Sequence, residues 1–142
     1  MKRMWNEGPI VVIDDDQDEQ YFYRRSFKKL NLNNPLVFFD NGKDALAYLQ
    51  QPSVRPFLTI CDINMPVMNG LELRELMCKD ERLYKKYTPF IFLSTSARQE
   101  DINRASELYV HGFFEKQTSI DAYEQTLKMI IEYWRSSQTS HQ

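Results

Sequence analysis

Five short apolar runs, each stopping at a polar or charged residue, constrain this chain more than any other feature. Ile10-Val11-Val12-Ile13 halts at Asp14-Asp15-Asp16, and Leu36-Val37-Phe38-Phe39 halts at Asp40. Phe57-Leu58-Thr59-Ile60-Cys61 leads into Asp62, Phe90-Ile91-Phe92-Leu93 into Ser94, and Gly112-Phe113-Phe114-Glu115 into Lys116. All five read as strands, and the fully apolar, β-branched first run reads as a buried strand of a parallel sheet.

The intervening segments carry helical spacing. Tyr23, Phe27 and Leu30 recur within 17–30, with Lys28 and Lys29 at the end that favours cations. Ala45, Leu46 and Leu49 mark 43–51, closed by Pro52; Leu71, Leu73, Leu76 and Met77 mark a helix running to about Asp80. A short helix is expected over 99–108, and a last one over 120–134 with Ile120, Tyr123, Leu127, Ile130 and Trp134 as its buried stripe. The polar stretch 81–88 reads as loop. Five strands alternating with five helices make βαβ units, hence an α/β fold, a doubly wound five-stranded parallel sheet covered on both faces.

At 142 residues the chain has the size of one domain, placed at 9–135 with short tails at 1–8 and 136–142. After Glu115 there is room for one helix, so no output domain is expected. A net charge of −2 carries no basic excess of the kind that binds nucleic acid or an anionic membrane. No apolar run approaches a membrane span, and the start lacks a secretory signal. Cys61 and Cys78 have neither CxxC spacing nor a neighbouring His cluster, so reduced thiols in the cytoplasm are expected. Lys28-Lys29 and Lys85-Lys86 read as solvated faces.

In a parallel sheet the carboxyl ends of all strands point one way, and ligands bind at that edge. Asp14, Asp15, Asp16, Asp62, Ser94 and Lys116 therefore gather there. Crowded carboxylates raise one another's pKa unless cations neutralise them. Lys116 supplies one positive charge, and a divalent ion is the natural complement. The donors are hard oxygens, and His111 and His141 offer no imidazole cluster, which favours Mg²⁺. An Asp beside Mg²⁺ and a lysine is a plausible nucleophile toward a phosphoryl group. Each residue also has a plainer reading. Asp14–Asp16 can cap a helix, a reading preferred for Asp16, Asp18 and Glu19; Ser94 can be a turn residue with Thr95 and Ser96 as rival hydroxyls; Phe113 can be a core filler.

Taken together, Asp14-Asp15, Cys61-Asp62-Ile63-Asn64-Met65-Pro66 with Gly70, Ser94 and Lys116 resemble the CheY-like receiver domain of response regulators, over roughly residues 9–134. The resemblance implies the flavodoxin-like strand order 2-1-3-4-5 and a non-enzymatic signalling role with at most slow self-dephosphorylation. It implies Asp62 as phosphoacceptor, with Mg²⁺ held by Asp15, Asp62 and the Asn64 backbone carbonyl, and by Asp14 through a water. Ser94 and Lys116 would contact the phosphoryl group, and Ser94 with Phe113 would form the switch. The phosphoryl donor would be a sensor histidine kinase or phosphotransfer protein. The output would reach a downstream protein or a second copy through a face holding Arg104, Phe113 and Lys116. The closing Ile131-Glu132-Tyr133-Trp134 resembles short stand-alone regulators that partner phytochrome-type kinases.

Three departures from the family pattern stand out. Gln117 follows Lys116 where Pro with a cis bond is usual, and a cis bond before a non-Pro residue is costly. Thr95 stands where Ala or Gly is usual and crowds access to the phosphoryl site. Phe113 lacks the hydroxyl of the commoner Tyr. The Gln117 departure leaves open a degenerate receiver that binds partners unphosphorylated. A dehalogenase-like phosphotransferase would need Asp at position 64, and a flavodoxin-type carrier would need a Ser/Thr/Gly-rich loop where Asp14-Asp15-Asp16 stands.

Overall fold

The Ile10–Ile13 run forms strand β1, and all four of its residues are buried. In the computed structural model, which describes residues 7–95 and 97–137, β1 lies inside a sheet, flanked on both sides. It pairs in parallel with β2 (Leu36–Phe39) and β3 (Leu58–Cys61). Strand β4 (Phe90–Ser94) extends the sheet beyond β3, and β5 (Gly112–Glu115) closes it, giving the parallel order β2-β1-β3-β4-β5.

Each crossover carries a helix, and helices cover both faces. Helices α1 (Gln17–Lys29) and α6 (Ile120–Ser136) lie on one face. There Tyr23, Phe27, Tyr123, Leu127, Ile130 and Ile131 pack on Val12, Ile60, Ile91 and Leu93. Helices α2 (Gly42–Leu49), α3 (Gly70–Lys79), α4 (Glu81–Tyr84) and α5 (Gln99–Glu107) cover the other. Ala45, Leu49, Leu73, Met77, Leu83 and Ala105 meet Val11, Ile13, Cys61, Phe90 and Phe92 on that side. Burial of these apolar side chains is the main favourable term holding the layers together.

Among the described residues there are six helices, not five. One turn of helix, α4, occupies part of the stretch read as loop, because Asp80 accepts the Arg82 N–H and Leu83 is buried beneath it. Two stripe positions also differ. Ile120 is 60% exposed, since it is the first residue after the Ser119 cap and precedes the turn that meets the sheet. On α3, Leu76 is exposed while Arg74 is buried, its guanidinium donating to the carbonyls of Leu108 and Tyr109. Lys86 is not a solvated charge. Its ammonium donates to the Leu49, Gln51 and Val54 carbonyls at 2.7, 2.9 and 2.7 Å, closing the C-terminal end of α2.

Positions 1–6, 96 and 138–142, which include Ser96, His141 and most of the expected tails, lie outside the described residues.

Candidate functional site

Sheet register builds the site. Ile13 lies beside both Phe39 and Cys61, so the next residues, Asp14 and Asp62, emerge side by side at the carboxyl edge. The Asp14 N–H donates to the Phe39 carbonyl at 2.9 Å, and the Asp62 N–H to the Ile13 carbonyl at 2.9 Å. Ser94 pairs with Glu115 across β4 and β5, and the Lys116 N–H donates to the Ser94 carbonyl at 2.8 Å. Three strand ends thus fix the backbone of the acids and the lysine before any side chain is considered.

The loop after β3 is held equally firmly. The Asp62 Oδ1 accepts the Ile63 N–H at 2.8 Å, and the Gly70 N–H donates to the Ile63 carbonyl at 2.8 Å. A Cβ on Gly70 would stand 2.3 Å from the Asp62 carbonyl oxygen and 2.8 Å from the Phe92 ring, so only glycine lets α3 start this close to Asp62. Asn64 is exposed in the same loop, two residues beyond Asp62.

Oxygens of Asp14, Asp15 and Asp62 all lie within 4.8 Å of one another. Asp14 is buried, Asp62 half-buried and Asp15 exposed, so the cluster opens outward from a buried floor. The Lys116 ammonium is buried against it, 2.8 Å from Asp14 Oδ2 and 3.5 Å from Asp62 Oδ2. Burial pushes the Asp14 carboxyl up from 3.8 to about 6, against the pull of Lys116 and of the Asp16 N–H, with Asp62 adding repulsion. For Lys116 burial acts downward, yet Asp14, Asp62 and Glu19 outweigh it and hold the ammonium above its ordinary range.

The expected residues divide clearly. Asp14, Asp15, Asp62 and Lys116 come together as one charged group. Ser94 lies fully buried at the end of β4, and Thr95 is exposed just beyond it. Thr95, Lys116, Gln117, Glu19 and Tyr123 line a cleft of about 350 Å³ beside the acids. Asp16 is the N-cap of α1, accepting the N–H groups of Asp18 and Glu19. The peptide bond between Lys116 and Gln117 is trans, as are all others among the described residues. Phe113 stands apart on β5, half-buried against Phe92 with ring centroids 6.0 Å apart. Lys116, with its side chain 4% exposed, does not belong to an outer face; Arg104 does lie on the surface, paired with Glu75 and Glu107.

Two residues escape the sequence reading. Gln20 is buried and donates to the Asp14 carbonyl at 2.8 Å. Glu19 is not simply solvated, because its carboxylate faces Lys116 at 3.7 Å and accepts the Tyr123 hydroxyl at 2.8 Å. No sequence signal marks Glu19, which stands in the first turn of α1 like any carboxylate that favours a helix N-terminus.

The donor set fits a hard divalent cation: carboxylate oxygens converge, and among the described residues neither thiol nor imidazole joins them. Among the described residues no helix is long and apolar enough to cross a membrane.

A family model described as "Response regulator receiver domain" matches residues 10–128. The probable methanogenesis regulatory protein FilR2 of Methanothrix harundinacea is 26% identical over 129 residues, 88% of this chain and 82% of the relative. Response regulator Rcp1 of Synechocystis is 24% identical over 135 residues, 92% of this chain and 90% of the relative. A Mn²⁺-bound form of Rcp1 shares the fold, with a TM-score of 0.82, 23% identity, and coverage of 93% of this chain and 97% of that one. The phosphorylated cyanobacterial phytochrome response regulator RcpA is 27% identical, with a TM-score of 0.85 over 94% of this chain and 97% of that one.

Proposed function

The chain belongs to the response regulator receiver domain family, and on that premise we propose that it is a phosphorelay receiver whose Asp62 accepts a phosphoryl group. The observation that carries this reading is the convergence of Asp14, Asp15 and Asp62 within 4.8 Å around the buried Lys116 ammonium.

Asp15, Asp62 and the Asn64 carbonyl are the proposed direct ligands of Mg²⁺, and Asp14 acts through a water. When bound, the ion neutralises charge on the transferring phosphoryl oxygens. One Asp62 oxygen attacks phosphorus and the donor's leaving group departs with its bonding pair. Lys116 holds a phosphoryl oxygen and Ser94 donates a hydrogen bond to another. Thr95 narrows the approach of an attacking water and so lengthens the life of the acyl phosphate. That a relative is described in a Mn²⁺-bound form and another as phosphorylated supports the same chemistry here.

The donor is a sensor histidine kinase or a phosphotransfer protein. The receiver unit spans 9–135, and its relatives are themselves matched over most of their length, which supports a stand-alone regulator. Its output leaves through the face of α5, β5 and α6, where Phe113 and Arg104 sit, toward a downstream protein or a second copy. The domain acts as a signalling element, not as a turnover enzyme. Cys61 and Cys78 are free thiols, which suits the cytoplasm.

Incubation with acetyl phosphate and Mg²⁺ should add one phosphoryl mass, lost in hydroxylamine and absent in Asp62→Asn. Chelator should block the gain without unfolding the domain. Failure of the wild type to gain mass under any donor would favour an unphosphorylated binding module instead.

A further inference from the structure

Glu19 has the sequence position of an ordinary first-turn carboxylate, where a negative charge favours the helix N-terminus and faces water. Its surroundings are different. Glu19 Oε2 lies 3.7 Å from the Lys116 ammonium and 2.8 Å from the Tyr123 hydroxyl on α6. The Tyr123 hydroxyl in turn lies 3.2 Å from that of Tyr23 on α1. Since the single proton of Tyr123 is given to Glu19, the Tyr23 hydroxyl is the donor in the second contact. Burial, Tyr23 and Glu19 all push the Tyr123 hydroxyl well above its ordinary range, so it remains a donor. The ring of Tyr123 is clamped by Phe22, with centroids 4.2 Å apart, and stands edge-on to Tyr23. Glu19 is therefore the junction between a charged site and a packed aromatic seam joining two helices.

We propose that Glu19 is a positioning residue that shares the Lys116 ammonium with the acidic cluster and, through the Tyr123 hydroxyl, links α6 to the charge carried by Asp62. The ammonium stands 2.8, 3.5 and 3.7 Å from Asp14, Asp62 and Glu19. At 3.7 Å the Glu19 contact is an ion pair and not a full hydrogen bond, so it is the first of the three to yield. Attraction grows in proportion to charge, and a phosphoryl group adds negative charge on the Asp62 side. Lys116 then moves toward Asp62, and Glu19 loses its cation while keeping Tyr123. The hydrogen bond to Tyr123 tightens onto a carboxylate with no other partner, and the seam of α1 and α6 feels the change.

This inference rests on the receiver reading only for the ligand-dependent half of its test. Amide resonances of 119–127 are followed by NMR as beryllofluoride and Mg²⁺ are added to the full chain. Wild type should show saturable shifts both around Asp62 and across 119–127. Glu19→Gln keeps the shape and removes the charge; the shifts around Asp62 should persist while those across 119–127 shrink severalfold. Tyr123→Phe, which leaves Glu19 in place, should reproduce the loss. Undiminished shifts in both variants would overturn the link, and loss of beryllofluoride binding in Glu19→Gln would put Glu19 inside the ligand site and overturn the positioning role. If wild type itself takes up no beryllofluoride, the receiver reading fails, and a double-mutant cycle of Lys116→Met with Tyr123→Phe decides the link alone. Non-additive unfolding midpoints would support the connection through Glu19, and additive ones would contradict it.

Discussion

At the scale of single residues, Asp14 shows how burial and charge compete. It is 1% exposed and holds an ammonium at 2.8 Å, yet burial pushes its carboxyl up to about 6, because desolvation outweighs the ion pair. The folded chain therefore binds a proton on Asp14 more tightly than the unfolded chain, whose value is 3.8. In the metal-free protein the contribution of Asp14 to stability should fall as pH rises from about 4 through about 6, by about 3 kcal/mol for that difference. Carboxyl NMR on metal-free protein should give an Asp14 midpoint near 6, and Asp14→Asn should flatten the pH dependence of unfolding in that window. A midpoint at or below 4 would contradict this balance. Asp14, Asp62 and Lys116 were legible in the sequence because each directly follows a strand. Glu19 was not, since a first-turn carboxylate looks the same whether water or an ammonium faces it.

At the scale of elements, strands and long helices follow from pattern, while their ends depend on contacts between distant segments. The five apolar runs pair because pairing and the covering helices remove most of their apolar surface from water, wholly for β1, β3 and β4 and in part for the edge strands β2 and β5. Helix α4 escaped notice because four residues with one buried leucine carry no periodicity. The end of α5 falls within a residue of the expected 108, although Tyr109 adopts a left-handed φ of 56° where glycine is the usual marker. That end is held from another helix: Arg74 on α3 donates to the Leu108 and Tyr109 carbonyls at 3.0 and 3.1 Å, with its guanidinium 5.0 Å over the Phe90 ring. Arg74→Ala should lower unfolding stability by about 3 kcal/mol, because two carbonyls lose a charged donor and a packed side chain is removed. Arg74→Lys should recover only part of it, for want of the planar fork. Denaturant unfolding checks both, and full recovery by lysine would contradict the fork as the cause.

At the scale of the whole molecule, the order β2-β1-β3-β4-β5 brings residues far apart in sequence to one edge. The Lys116–Asp14 contact spans 102 positions and Tyr123–Glu19 spans 104, so the first crossover, α1, and the last helix, α6, close on the same site. That closure is the reason a charge change at Asp62 can reach α6. The central claim, that Asp62 carries the phosphoryl group, is tested most directly by identifying the modified residue. An acyl phosphate is reduced by borohydride to the alcohol, so a phosphorylated aspartate is trapped as homoserine. After phosphorylation with Mg²⁺, peptide mapping should find homoserine at position 62 and nowhere else; homoserine at Asp14 or Asp15, or a phosphoryl group on a histidine, would contradict the account.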